Sequence, residues 1–164
     1  MNWLGKLVQK EISKHDTVLD IGCGIMQAID GLKCKSILGI DIAMKYLDKI
    51  KNQYPTICLD VSEIHKFPLR SYDVVLALDV LEHLAKNDVY YVINQMGCIA
   101  RKKVIIYTPA TFKDNRESVN DSWGMGINEY QLHRCLVSVD MLKNMGFEIS
   151  YPEPDKNTLA IWSA

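Results

Sequence analysis

The chain is short of almost everything that marks a specialised class. Its 19 basic and 20 acidic residues leave a formal net charge of −1, so it has no footprint for long nucleic acid. The five cysteines (Cys23, Cys34, Cys58, Cys98 and Cys135) are odd in number and form no C-x-x-C pair. A disulfide framework and a thiolate metal knuckle are therefore both disfavoured, and reduced thiols in a cytoplasmic protein are expected. No apolar run approaches the length of a membrane span, and the opening "MNWLGKLVQKEISKHD" is too polar for a signal peptide. There is no G-x-x-x-x-G-K-[ST] loop, no internal repeat and no low-complexity segment.

What is present is a regular alternation of apolar runs and amphipathic stretches over 164 residues, enough for one domain with its own core. Trp3, Leu4, Leu7, Val8 and Ile12 recur at helical spacing, which predicts a helix over 2–14. "TVLDIG", "SILGID", "TICLD", "YDVVLALDV" and "KKVIIYTP" read as strands, and "FEISYPEP" with "TLAIWSA" as a hairpin joined through "EPDKN". Between them, "IMQAIDG", "MKYLDKIKNQ", "NDVYYVINQMGCIA" (capped by Asn87 or Asp88) and "SVDMLKNMGF" (capped by Ser138, ended by Gly146) read as helices. Residues 110–132, with Gly124 and Gly126, form a polar connection too long for a plain loop. The expected fold is α/β: a Rossmann-like, open twisted sheet of seven strands, mostly parallel with an antiparallel C-terminal hairpin, and helices on both faces.

In such a sheet the ligand lies beyond the carboxyl ends of the strands, so polar residues should collect there. They do: the first five strands end at Asp20, Asp41, Asp60, Asp79 and Thr108. One such Asp is ordinarily a turn or cap residue. Four in succession define a carboxylate-lined crevice suited to a neutral or cationic ligand rich in hydroxyls and amines. Gly22 and Gly24 allow a tight turn and close approach of a ligand to the backbone. Asp41 follows Asp20 by 21 residues, the separation at which a second-strand carboxylate meets a ribose. The dinucleotide fingerprint G-x-G-x-x-G fails at Gln27, which counts against a nicotinamide-dependent oxidoreductase.

Taken together, "VLDIGCG", "LGIDIA", "LDVSEI", "YDVVLALDVLEHL", "VIIYTPA" and "MLKNMGFEI" resemble the class I S-adenosylmethionine-dependent methyltransferases over essentially the whole chain. The resemblance implies that Gly22, Cys23 and Gly24 flank the methionine part of S-adenosylmethionine, and that Asp20 reaches its amino group. It further implies Asp41 on the ribose hydroxyls, Ile42 beside the adenine, Asp60 on the adenine amino group, Val61 on the ring, and Leu78 and Asp79 on the methionine side. S-Adenosylhomocysteine would be the product. The family's loop commonly carries a third glycine where this chain has Met26, whose side chain either narrows the methionine pocket or enters the core. The closer approach of the first two glycines favours the core.

Methyl transfer from a sulfonium is a displacement at carbon, so the protein mainly aligns the reactants. A base is needed only where the acceptor must lose a proton. His83 in "DVLEHL" and His133 in "NEYQLHRC" are the catalytic candidates, and Tyr107, Trp123 or Tyr130 can offer an aromatic face to the cationic cofactor. Asp79, Glu82 and His83 would share a face if a helix has begun. With His133 they also resemble the metal-ligand pattern of small-RNA 2′-O-methyltransferases, although the rest of that family's RNA-binding apparatus is missing and no metal is expected. The reading is a cytoplasmic methyltransferase acting on an oxygen or nitrogen of a small-molecule acceptor, with no membrane partner. A homodimer or partner chain could complete the acceptor site. The alternatives are a metal-assisted RNA 2′-O-methyltransferase and a noncatalytic S-adenosylmethionine-binding subunit.

Overall fold

The structure is a computed structural model that describes residues 2–116, 123, 125–126, 129–153 and 156–164. Gly124 of the long connection and two residues of the hairpin turn, Pro154 and Asp155, lie outside the described residues. The described elements run α1 (Trp3–Gln9), β1 (Thr17–Ile21), β2 (Ser36–Asp41), α2 (Met44–Ile50), β3 (Thr56–Cys58), β4 (Tyr72–Leu78), α3 (Lys86–Ile99), β5 (Ala100–Pro109), α4 (Val139–Asn144), β6 (Glu148–Glu153) and β7 (Asn157–Ser163). Short 3₁₀ turns occupy Val61–Lys66, Leu81–His83 and Glu129–Gln131.

One sheet contains all seven strands in the order β3-β2-β1-β4-β5-β7-β6. β1 to β5 pair in parallel, and β7 runs antiparallel to both β5 and β6. The chain therefore starts at the centre, winds out to β3, then returns to the other side of β1. The order reverses between β1 and β4, which is where an open α/β sheet offers a crevice.

The strands look uniformly apolar in sequence, but their side chains divide by alternation between two cores. Leu19, Ile21, Ile40, Val75, Ala77, Val104 and Ile106 pack under α3 and α4, against Val89, Val92, Ile93, Met96 and Leu142. Val18, Val74, Leu76, Ile105 and Tyr107 pack on the opposite face against Leu4 and Val8 of α1 and Leu47 and Ile50 of α2. The expected seven-stranded fold with its antiparallel C-terminal hairpin is thus the observed one.

Several boundaries differ. The first helix stops at Gln9, and Lys10, Glu11 and Ile12 continue it only as turns with bonds to the third residue back. "IMQAIDG" forms no helix. Met26 adopts φ +54° and Gly31 φ +77°, and a left-handed residue cannot sit inside a right-handed helix. Instead Met26, Ile29 and Leu32 donate in turn to Cys23, Met26 and Ile29, three linked turns. Helix α3 starts at Lys86 after Ala85, which makes no side-chain cap, so neither Asn87 nor Asp88 is the N-cap. Ser138 does cap α4, accepting from the Met141 N–H. Asp79, Glu82 and His83 follow a left-handed turn at Asp79 (φ +54°) and a single 3₁₀ turn, not a helix. No helix among the described residues is long and apolar enough to cross a membrane.

Candidate active site

A cavity of about 280 Å³ opens at the switch in strand order, between the carboxyl ends of β1, β2 and β4. Gly22, Gly24, Asp41, Ile42, Asp60, Val61, Asp79 and His83 line it, eight of the positions singled out from sequence. Asp20, Cys23, Leu78 and His133 are not on its wall. The glycines are explained partly by protein rather than by ligand. A Cβ at Gly22 would lie 1.8 Å from Cγ2 of Val80, so β1 and β4 can meet only over a glycine. Both glycines are left-handed, at φ +62° and +52°.

Asp41 ends β2 and fastens the glycine loop to the start of α2. Its two carboxylate oxygens accept the N–H groups of Gly24 and Ala43, each at 2.8 Å. Burial pushes its pKa up, and those two donors pull it back. A carboxylate has about four acceptor positions. Two remain here, open towards the cavity that Asp41 lines. Asp20 is buried one strand away, and burial, then the charge of Asp41, pushes its carboxyl up to about 8. Asp60 caps the 3₁₀ turn by accepting from the Ser62 N–H at 2.8 Å, so its turn role is built and one oxygen stays available. Val61 is buried against the core beside it.

Cys23 and Met26 face away from the cavity. The Cys23 N–H donates to the Ile40 carbonyl, and its thiol packs under Gly39, where burial pushes its pKa up. Met26 is only 1% exposed, with its methyl group 2.4 Å from the position a Cβ on Gly39 would take. The methionine at the third glycine position therefore enters the core beneath β2, and Gly39 makes room for it. Leu78, partly buried, packs against the same apolar cluster.

The other end of the cavity carries the catalytic candidates. The Glu82 carbonyl accepts the N–H groups of Arg134 (2.7 Å) and Cys135 (3.2 Å), while Cys135 and Val137 enter the core. That clamp carries His133 across to His83, with ring centroids 5.1 Å apart. Asn115 fixes the approach, accepting from the His133 N–H and donating to the Gln131 carbonyl, both at 2.8 Å. His133 Nδ1 lies 2.8 Å from the Lys113 carbonyl, and a carbonyl only accepts. Neutral His133 therefore carries its proton on Nδ1 and keeps a lone pair on Nε2. His83 Nδ1 sits 3.3 Å from the Leu132 carbonyl. Burial pushes its pKa down to about 4, so it is a neutral imidazole at pH 7.

Glu82 is buried, and burial, then the Asp79 charge, raises it to about 8; Thr108 donates to one of its oxygens at 3.1 Å. Asp79 lines the cleft, and burial of its carboxyl group raises it to about 6. Glu82, His83 and His133 offer ligand atoms within 4.8 Å of one another, and Asp79 is outside that group. Sequence reasoning did not single out Tyr46, Ser62, Val80, Gln131 or Arg134, which also line the cavity. Only Arg134, adjacent to His133, had any signal in the sequence. Asp88, expected as a helix cap, lines the cavity as well.

The sequence of residues 19–107 matches the family described as "Methyltransferase domain". No curated protein sequence matches the chain. A S-adenosylmethionine-dependent methyltransferase from Archaeoglobus fulgidus is 15% identical, with a TM-score of 0.69 over 98% of this chain and 94% of its own. Magnesium protoporphyrin IX methyltransferase from Synechocystis, with bound S-adenosylhomocysteine, is 18% identical, with a TM-score of 0.65 over 98% and 79%. The 1,6-didemethyltoxoflavin-N1-methyltransferase of Burkholderia thailandensis, also with S-adenosylhomocysteine, is 12% identical, with a TM-score of 0.67 over 98% and 76%.

Proposed function

The chain belongs to the methyltransferase-domain family, and from that premise we propose that it moves a methyl group from S-adenosylmethionine to an oxygen or nitrogen of a small-molecule acceptor. One observation carries this reading: Asp41, Asp60 and Asp79 open onto a single cavity at the switch point, and no cationic side chain among the described residues pairs with them. Arg134 also lines this cavity but forms no ion pair with these three carboxylates, and carboxylates left so favour a ligand with hydroxyls and an ammonium group. Two similar structures are named for a porphyrin and a toxoflavin precursor, which supports a small acceptor.

The cofactor supplies an electrophilic methyl group, and this chain's residues hold and align. Asp41 would take the ribose, Asp60 with Ile42 and Val61 the adenine, and Asp79 the methionine ammonium beside the Gly22–Cys23–Gly24 backbone, with Asp20 and Leu78 acting from behind the wall, Asp20 through its charge or a water. His83 and His133 stand at the acceptor end. Burial disfavours protonated His83, which suits it to orienting the acceptor, while His133, through its Nε2 lone pair, can take a proton from an acceptor hydroxyl or amine. S-Adenosylhomocysteine at one hundred times its Kd is expected to raise the melting temperature by on the order of 5–10 °C. No shift with either S-adenosylhomocysteine or S-adenosylmethionine at millimolar concentration overturns the reading.

The grouping of Glu82, His83 and His133 favours a second reading, in which a divalent ion orients the acceptor oxygen, as in methylation of an RNA 2′-hydroxyl. One carboxylate and two imidazoles suit Mn²⁺ or a similar ion, and the Lys113 carbonyl already orients His133. Calorimetric titration with Mn²⁺ separates the two readings. Stoichiometric binding that is lost in His133→Ala supports the ion. Absence of binding to the wild-type protein removes it.

A further inference from the structure

Trp123 is held against the cofactor side of the cavity by contacts that core packing does not explain. Its indole lies directly on Gly24: a Cβ there would fall 2.6 Å from Cη2 and 3.2 and 3.3 Å from the adjoining ring carbons. The ring N–H donates to Gln27 Oε1 at 3.3 Å, and the ring meets Tyr46 edge to face, 4.7 Å between centroids at 88°. Behind the ring, Lys49 Nζ donates to the Trp123 carbonyl at 3.3 Å. Lys45 Nζ donates to the carbonyls of Met125 (3.0 Å) and Gly126 (3.2 Å). Lys45, Tyr46 and Lys49 all stand on α2, the helix whose start Asp41 fastens to the glycine loop. Trp123 belongs to neither apolar cluster, yet it lines the cavity with Gly24, Asp41 and Tyr46.

We infer that Trp123 is a cofactor-contact residue, its indole closing the ribose and methionine side of the site, and that residue 24 is glycine in part to seat that ring. This rests on the cofactor reading above. A ligand that occupies Asp41 and approaches the Gly24 backbone meets the indole, because the ring lies against Gly24 and lines the same cavity. An aromatic wall there excludes water and gives the bound cofactor an apolar surface to pack against. Helix α2 links the two contacts: Asp41 fixes one end of it, and its lysines hold the backbone that carries Trp123.

The test is calorimetric titration of S-adenosylhomocysteine into wild type, Trp123→Ala and Trp123→Phe. The alanine variant is expected to bind about tenfold more weakly, the phenylalanine variant to lose less, and both to melt without ligand as the wild type does. In a Trp3→Phe/Trp162→Phe background, Trp123 is the only tryptophan, and its emission should shift with a half-saturation matching the calorimetric Kd. Wild-type affinity in Trp123→Ala, or an emission that saturating S-adenosylhomocysteine leaves unmoved, overturns the inference. Should the double-phenylalanine background not fold, the calorimetry of Trp123→Ala decides alone. A wild type that binds no S-adenosylhomocysteine overturns the cofactor reading itself, and this inference falls with it.

Discussion

Replacing Asp41 with alanine should abolish measurable binding of S-adenosylhomocysteine, a loss of more than about a hundredfold in affinity, and should lower the melting temperature as well. The affinity loss follows from lone-pair geometry. Two acceptor positions of Asp41 are taken by the Gly24 and Ala43 amides, and the remaining two are what the cleft can offer to a pair of vicinal hydroxyls. A charge-assisted hydrogen bond contributes about 1.5–3 kcal/mol, so losing two accounts for the hundredfold. The stability loss has a separate cause. Gly24 and Ala43 are buried, and truncation leaves two backbone donors unsatisfied at about 1–3 kcal/mol each. Asp41→Asn separates the effects, since its carbonyl keeps one amide partner while its NH₂ opposes the other. It should melt between wild type and Asp41→Ala and still bind poorly. Differential scanning fluorimetry with and without ligand reads both; an Asp41→Ala protein that binds as wild type removes Asp41 from the cofactor site.

Acidic residues stand at both ends of the sheet, and their surroundings tell the two ends apart. At the amino end, Asp73 accepts from the Thr17 N–H and pairs with Arg101 at 3.1 Å and Lys102 at 3.3 Å. The Arg101 guanidinium, ahead of the other contacts, holds the Asp73 carboxyl well below the usual carboxylate range. At the carboxyl end, Asp20, Asp79 and Glu82 are all pushed upward by burial and have no ion-pair partner among the described residues. The amino-end charges tie strands to one another. Those at the carboxyl end are raised by burial without such partners, the pattern expected of groups that meet a ligand in the proposed site.

That contrast was partly legible in the sequence. Strands buried on both faces are continuous apolar runs, so "TVLDIG", "SILGID" and "YDVVLALDV" announced themselves, and Asp41 and Asp79 lay at the cleft by topology alone, while Asp20 is buried within β1 behind it. What the sequence hid was set by contacts between distant segments. "IMQAIDG" has helical composition, but burial of Met26 beneath Gly39 holds it in a left-handed turn that no helix tolerates. His83 and His133 are fifty residues apart, and the bond from the Arg134 N–H to the Glu82 carbonyl that joins them involves only backbone, which leaves no mark on the sequence. The seat of Trp123 on Gly24 was equally silent, because a glycine that admits a ligand and one that admits an indole look the same.

Asp20 makes the effect of burying these carboxylates measurable. Its carboxyl titrates at about 8 in the folded protein, raised first by burial and then by Asp41, against about 3.9 in an unfolded chain. Below pH 4 both states hold the proton and the group costs nothing. Between pH 4 and 8 the unfolded chain is ionised while the folded chain still binds the proton. Stability from this group therefore falls as pH rises through that window, by up to about 1.4 kcal/mol per pH unit, and levels off above it. Asp20→Asn has no proton to lose. It should melt higher than wild type at pH 8, by on the order of 10 °C, with the difference shrinking steadily towards pH 5. A difference independent of pH would show that the substitution acts through packing alone. The same variant should bind S-adenosylhomocysteine poorly, because the ionised carboxylate is what an ammonium group needs. In the wild type, affinity should rise from pH 6 to 8 as Asp20 ionises, and in Asp20→Asn the part of that rise due to this group should vanish. A residue whose replacement makes the empty fold more stable and the loaded one less so is one retained for its ligand, and these two measurements test that of Asp20, which is buried with no ion-pair partner among the described residues.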